Sequence, residues 1–468
     1  MRTHTPLLVA SLQSSIHNAR LKAAVAAAAA AAPGASAAYA GSRPLDHTVG
    51  HAAAASPRPG PASAASAAAD RLELSFLELH SRIGAGGCAV VFKGRFGTVD
   101  CAVKVMEMPD ADQYDPQLSA GAAATAGTAA AQAEGADGAT AAAAAAPSTA
   151  SGAKLQLSAR RALLRNAMEV AALTSISHPN IIQVYSTFNN VTLVSRTLPD
   201  GRRVAVVVPA GLSEHESASQ QAAHEDGNGG GASSAPQPVC LAIVCEWCDQ
   251  GSVATALANK RFHRPAPTGA PGGAAGGGIS GGSAAGGSRP HRFLDYRAVL
   301  MTLLDVALAL RYLHSHNLAH RDVKATNVLL RSCPTDPRGF TAKLADFGFV
   351  VILDQPGDER NGFEPYAVVD QSCGTVTHMA PECLRSGGRV EAACDVYREM
   401  TAGNVRPYSG IPAEHIPTAV HSGARPAFSL SVPVPYRLLA QHCWAAAPHH
   451  RPRSAELVAA ISGLLSAM

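Results

Sequence analysis

Two short stretches of this chain hold side chains that could do chemistry together. The run His320-Arg321-Asp322-Val323-Lys324-Ala325-Thr326-Asn327-Val328-Leu329-Leu330 carries a carboxylate, an ammonium and a carboxamide at close spacing. Ala345-Asp346-Phe347-Gly348 follows shortly after and adds a second carboxylate. Phosphoryl transfer needs a carboxylate to orient a hydroxyl and accept its proton, a cation near the γ-phosphate, and oxygen ligands for Mg²⁺. Asp322, Lys324, Asn327 and Asp346 supply those parts in that order, with Asn327 and Asp346 as the metal ligands. As structure alone the same residues would be a charged surface loop. Two blocks in sequence behind a lysine-bearing strand leave that reading little room.

Further parts lie upstream. Ile83-Gly84-Ala85-Gly86-Gly87-Cys88-Ala89-Val90-Val91 sits between two strand-like runs. Its glycines would let backbone N–H groups approach a phosphate. Read alone, it is better taken as a plain flexible hairpin, and Ala89 stands where the third glycine of a G-x-G-x-x-G pattern would be. Cys101-Ala102-Val103-Lys104 ends an apolar strand on a lysine, whose burial requires a carboxylate or phosphate partner. Glu169, on a helical stretch ahead of His178-Pro179-Asn180, is the candidate, although by itself it reads as a solvated helix glutamate. Cys240, Cys245 and Cys248 have the C-x₄-C-x₂-C spacing of plant-type iron–sulfur ligands. That alternative is weakened by their position in a strand-like run with no fourth cysteine close behind.

These side chains have to be held by regular elements. Leu72, Leu74 and Phe76 alternate, and Val90–Phe92 and Ala102–Met106 are β-rich, so 71–108 reads as strands. A helix is predicted over about 159–176, a strand over 181–188, and a buried strand over 239–247. From Phe293 to Leu313 the pattern is a helix apolar on most sides, which belongs inside a sizeable core. The tail, 438–465, reads as helical. Ala-, Gly- and Ser-rich tracts at 109–153, 213–238 and 264–290 read as surface insertions, because long loops add little closure entropy.

Composition sets the limits. The 468 residues are 47% hydrophobic, but much of that is alanine, and only 5% are aromatic. Alanine-rich tracts bury too little area to offset their ordering entropy. A net charge of +3 argues against nucleic acid as a partner, and no stretch of about 20 apolar residues suggests a membrane span. Ten scattered cysteines in a chain of this size read as reduced, hence intracellular and cytoplasmic. Residues 1–70 read as a disordered Ala-rich leader. Within it, 1–45 have the Arg/Ala/Ser-rich, acid-free composition of a plastid or mitochondrial transit peptide.

With these motifs in order, the sequence resembles the eukaryotic protein kinases, and among them the tyrosine-kinase-like group that includes Raf and mixed-lineage kinases. The resemblance covers 71–466 apart from the insertions. Gly374-Thr375-Val376-Thr377-His378-Met379-Ala380-Pro381-Glu382 resembles the end of an activation segment, and His442-Cys443-Trp444 through Arg451-Pro452 the group's C-terminal signature. The resemblance implies an α+β, bilobal fold with a small β-rich N-lobe (71–248) and a larger helical C-lobe (249–466). It implies ATP-dependent transfer to Ser/Thr hydroxyls of protein substrates, Lys324 being the serine/threonine pattern. Lys104, paired with Glu169, would contact the α/β-phosphates. Ile83, Gly84, Ala85, Gly86, Gly87, Val91, Ala102, Lys104, Glu246, Cys248, Leu329 and Asp346 would bind ATP, with Cys245 as gatekeeper. Arg451 would pair with Glu382, and Asp395 would hold the catalytic-loop backbone. Arg321 would receive a phosphate on the activation segment, at Ser372 or Thr375, while Thr377 would be a structural contact to the catalytic loop.

One departure stands out. Asp395-Val396-Tyr397 runs straight into Arg398-Glu399-Met400, where the family carries an apolar stretch such as Ser-Phe-Gly-Val-Leu-Leu-Trp. Some six residues are missing, about 9 Å at the α-helical rise. A shortened helix predicts either a compensated core or an underfilled one. In the second case the chain would be a kinase-like scaffold or a poorly folded product.

Overall fold

The computed structural model describes residues 8–18, 72–86, 89–108, 149–197, 201–210, 239–265, 292–357, 364–369, 374–384, 387–402, 408, 410–428 and 432–468. The chain divides into two compact units, one of residues 1–176 and 183–247, the other of 177–182 and 248–468.

The first unit is built on six antiparallel strands: β1 (Leu77–Gly86), β2 (Ala89–Phe96), β3 (Val99–Glu107), β4 (Val184–Thr197), β5 (Arg203–Pro209) and β6 (Cys240–Glu246). Their order is β1-β2-β3-β6-β4-β5, and the outer strands β1 and β5 approach each other, so the sheet curls. Residues alternate across it as the pleat requires. Phe92, Cys101, Val103, Val105, Phe188, Ala242 and Val244 form a buried cluster on one face. Two helices belong to this unit: α1 (residues 8–18) and α2 (Thr149–Ser175). Ala167, Val170, Ala171, Ala172 and Leu173 are buried apolar residues of α2, and Glu169 is buried among them.

The second unit carries helices α3 (Val253–Ala258), α4 (Tyr296–His314), α5 (Ala393–Ala402), α6 (Ile416–His421), α7 (Val434–Cys443) and α8 (Ser454–Ser466). Its strands are short pairs: β7 (His263–Pro265) with β8 (Arg292–Leu294), β9 (Leu318–Ala319) with β12 (Val351–Ile352), β10 (Val328–Ser332) with β11 (Phe340–Leu344), and β13 (Tyr366–Val369) with β14 (Gly388–Glu391). Leu300, Leu303 and Ala307 of α4 pack with Val396 and Tyr397 of α5 and Leu457 and Ile461 of α8 in one apolar cluster. Asp295 caps α4 by accepting from the Ala298 amide at 3.1 Å, satisfying a donor that the first turn leaves open. Among the described residues no helix is long and apolar enough to cross a membrane.

Several elements differ from the sequence reading. The leader is not disordered throughout: α1 is helical, Ile16 within it is fully buried, and the Gln13 amide donates to Thr174 Oγ1 of α2 at 2.7 Å. The rest of 1–70 lies outside the described residues. Leu72–Leu74 is a helical turn and not a strand, because Ser75 and Phe76 donate back to Leu72 and Glu73 carbonyls. α2 starts ten residues before the predicted 159 and takes in the end of the expected 109–153 insertion. The predicted strand at 181 begins at Val184, with Ile181 in a lone bridge to Leu344. Phe293 sits in β8, so the long helix starts only after its Asp295 cap. The tail is two helices, separated by a segment carrying Pro448 and Pro452, neither of which fits a helix interior.

Candidate active site

In the first unit, sheet register decides which residues share the face of Lys104. Val91 and Ile243 lie directly opposite Lys104, and Ala102, two residues back on the same strand, lies opposite Cys245. Val91, Ala102, Lys104 and Cys245 therefore share a face, and Lys104 Nζ donates to both Glu169 carboxylate oxygens, at 2.6 and 2.8 Å. Glu169 is 4% exposed, so the pair is held away from most solvent, where breaking one partner is costly. The solvated glutamate of the sequence reading does not hold.

Ile83, Gly84 and Ala85 lie on β1, and Gly86 pairs with Ala89 where the hairpin closes. Gly87 and Cys88, at its tip, lie outside the described residues. A Cβ at Gly84 would meet only Val91 Cβ, at 3.9 Å, so packing alone does not demand glycine there. Glu246 is buried: its amide donates to the Gln183 carbonyl at 2.9 Å and its side chain accepts from the Gln183 amide at 2.8 Å. Its side chain thus ties strand to loop. Cys240 and Cys245 point to opposite faces of β6, and burial, with Glu107 nearby, pushes the Cys240 thiol up. Shared thiolate ligation of a cluster by these two cysteines is ruled out by that geometry.

In the second unit the loop from β9 to β10 carries the other candidates. Asp322 is 1% exposed, and every donor around it is close. Its Oδ2 accepts from Lys324 Nζ at 2.7 Å and Asn327 Nδ2 at 2.9 Å; its Oδ1 accepts from the Thr375 amide at 3.0 Å and Thr375 Oγ1 at 3.1 Å. Lys324 Nζ donates as well to Thr375 Oγ1, at 2.7 Å. Asn327 Nδ2 donates also to the Asp322 carbonyl, which fixes the amide plane and turns its oxygen away from Asp322. Leu329 is half-buried on β10, and Cys248, also in this unit, is buried.

The loop backbone is strained and held. Arg321 and Asp346 both have φ near +65°, unusual for side-chain-bearing residues. Asp395 of α5 accepts from the His320 and Arg321 amides, each at 2.7 Å, and from His314 Nε2 at 3.0 Å. Burial alone would raise the Asp395 carboxyl; the His314 bond, nearby histidines and the Arg321 amide outweigh it and hold it below its usual range. Burial keeps His320 below the ordinary histidine value. Its Nδ1 accepts from the Asp322 amide at 3.2 Å, which leaves Nε2–H to donate to the Ala345 carbonyl. The fully buried Phe347 ring packs edge-on against His320 at 4.8 Å. Arg451 forms a two-pronged pair with Glu382, at 2.6 and 2.8 Å.

Two assignments on the activation segment change. Thr375 is a contact to the catalytic loop and not an available phosphate acceptor, since its hydroxyl is engaged by both Asp322 and Lys324. Thr377 lacks that role; its hydroxyl bonds His378 Nδ1 at 2.8 Å. Ser372 lies outside the described residues. Arg321 is 5% exposed, and its Nε has no hydrogen-bond partner among the described residues. The sequence reading missed His314 and Arg398. Nothing local in the sequence marks an arginine as buried; in the structure Arg398 continues the buried run Cys394, Asp395, Val396, Tyr397 on one helix.

A curled sheet with a lysine–glutamate pair, together with a helical unit holding this catalytic loop, is the α+β fold of a protein kinase domain. Residues 230–461, close to half the chain, match the family described as protein tyrosine and serine/threonine kinase. A probable LIM domain-containing serine/threonine-protein kinase of Dictyostelium discoideum is 32% identical over 170 residues, covering 35% of this chain and 23% of that protein. A protein kinase and PP2C-like domain-containing protein of Arabidopsis thaliana is 34% identical over 195 residues, covering 34% and 28%. The mouse dual specificity testis-specific protein kinase 1 is 33% identical over 187 residues, covering 37% and 27%. The chain spans about a quarter of the length of each of these relatives.

Proposed function

We propose that this chain transfers the γ-phosphate of ATP to serine and threonine hydroxyls of protein substrates. The observation that carries the reading is the bridge Asp322–Lys324–Thr375: one ammonium bonded to both the candidate base and the activation-segment hydroxyl. Asp322 orients the substrate hydroxyl and takes its proton, while Lys324 stands ready for the charge on the transferred phosphoryl group. Lys104, fixed by Glu169, holds the α/β-phosphates. Asn327 and Asp346 offer hard oxygen ligands, which suits Mg²⁺, an ion that needs few protein ligands beside phosphate and water. When bound, Mg²⁺ would neutralise phosphate charge. Ile83, Gly84, Ala85, Gly86, Gly87, Val91, Ala102, Glu246, Cys248 and Leu329 complete the nucleotide contacts in this reading.

Placement in the tyrosine-kinase-like group is supported by Cys443-Trp444 and Arg451-Pro452, the first pair buried and Arg451 paired to Glu382. Regulation by phosphorylation between Asp346 and Glu382 is supported by the buried Arg321, with Ser372 the candidate acceptor.

The test is transfer of labelled γ-phosphate to serine, threonine and tyrosine peptides by the wild-type chain and by Asp322→Asn. The variant should lose transfer by a factor of about 10³ or more while still binding Mg-ATP. Turnover at the wild-type rate would remove Asp322 from the role of base. Lys104→Met should cut the rate strongly with a smaller effect on nucleotide affinity; full activity would place the phosphate anchor elsewhere.

A further inference from the structure

α5 holds the catalytic loop by two side chains rather than one. Asp395 and Arg398 are three residues apart, hence neighbours on the helix surface. Asp395 binds the backbone of His320 and Arg321. Arg398, with no solvent exposure, places Nη1 3.7 Å from Asp322 Oδ1. Its guanidinium also underlies the activation segment: a Cβ at Gly374 would stand 3.2 Å from both terminal nitrogens. Its charge helps burial to lower the His378 pKa to about 4.

We propose that Arg398 is a positioning residue for the catalytic aspartate. It is the first residue after the point where the family's apolar stretch is missing, and its side chain occupies buried space under the loop. A buried cation needs a buried anion close by. Asp322 is that anion, so the carboxylate is drawn toward α5 on its Oδ1 side while Lys324 and Asn327 hold Oδ2. The short helix is thereby made compatible with an ordered loop. The inference rests on the proposed phosphotransfer, but its central claim, the coupling of Arg398 to Asp322, is independent of activity.

The test is a double-mutant cycle on the full chain: Asp322→Asn, Arg398→Met and the pair together, each read by thermal unfolding. Each single variant should lower Tm by about 5 °C or more, because Asp322→Asn takes the carboxylate from beside the buried Arg398, and Arg398→Met takes one of the two cations from beside the buried Asp322. The double variant should recover most of that loss. Additive losses, or a double variant with no cooperative transition, would overturn the inference, since Arg398 would then act by packing alone. Kinetics supply the second readout. Arg398→Met should lower kcat about tenfold with KM for ATP within about twofold, and Arg398→Lys should recover part of kcat. Coupling without any change in kcat would also overturn the positioning role. Coupling together with a wild-type chain inert toward every peptide would leave the pair standing and remove the proposed function instead.

Discussion

His378 is buried beside Arg398, Lys324 and Asp322, and burial with the two cations lowers its pKa from the ordinary 6.5 to about 4, against the opposing pull of Asp322. The folded chain therefore resists a proton that the unfolded chain accepts. Stability from this residue is intact above pH 6.5 and is lost as pH falls from there toward 4. Between pH 7 and pH 5 the loss should be about 2 kcal/mol. Urea unfolding of His378→Gln at both pH values should show a smaller drop than the wild type; an equal drop would assign the effect to other groups. Gly374 makes a second single-residue case. Its φ is +108°, and a Cβ would meet the Arg321 carbonyl at 2.9 Å. Gly374→Ala should cost roughly 1–3 kcal/mol in thermal unfolding and lower kcat as well, because the Thr375 amide that holds Asp322 follows directly. An unchanged kcat would show that the Thr375 bonds do not depend on this backbone.

Elements whose chemistry is written locally were legible in the sequence. The Lys104 strand, the catalytic loop and the Glu382–Arg451 pair each rest on a short motif, and the kinase fold follows from their order. What escaped depends on tertiary contact. Leu72, Leu74 and Phe76 alternate like a strand, yet local i−3 bonds bend them into a turn. α1 was hidden by composition: its eleven residues lie in an Ala-rich leader, and only the two-turn spacing of Val9 and Ile16 betrays a buried face. Thr375 and Thr377 are alike in type, and only the folded loop decides which one meets Lys324. For α1 the expected outcome is direct. Ile16→Ala should destabilise the chain by roughly 2–5 kcal/mol, the range for a fully buried large aliphatic side chain. A shift below about 0.5 kcal/mol would mean that α1 adds nothing to the unit.

At the scale of the whole molecule, the Ala- and Gly-rich tract between β3 and α2 should contribute little. Replacing 115–144 by a short Gly/Ser linker should leave Tm unchanged, since closure entropy varies only logarithmically with loop length. The replacement stops short of Thr149, where α2 begins; a loss of several degrees would show that the tract carries packing of its own. The docking of α1 bears on a different question, where the minimal foldable fragment starts. Sequence resemblance would place that start near residue 71. A recombinant fragment cut there would lack the buried side chains of Val9 and Ile16 and the Gln13 bond to Thr174, and would uncover the surroundings in which those two side chains are now buried. Light scattering at rising concentration should show that fragment self-associating where the full chain stays monodisperse, and adding back residues 1–20 as a separate peptide should reverse it.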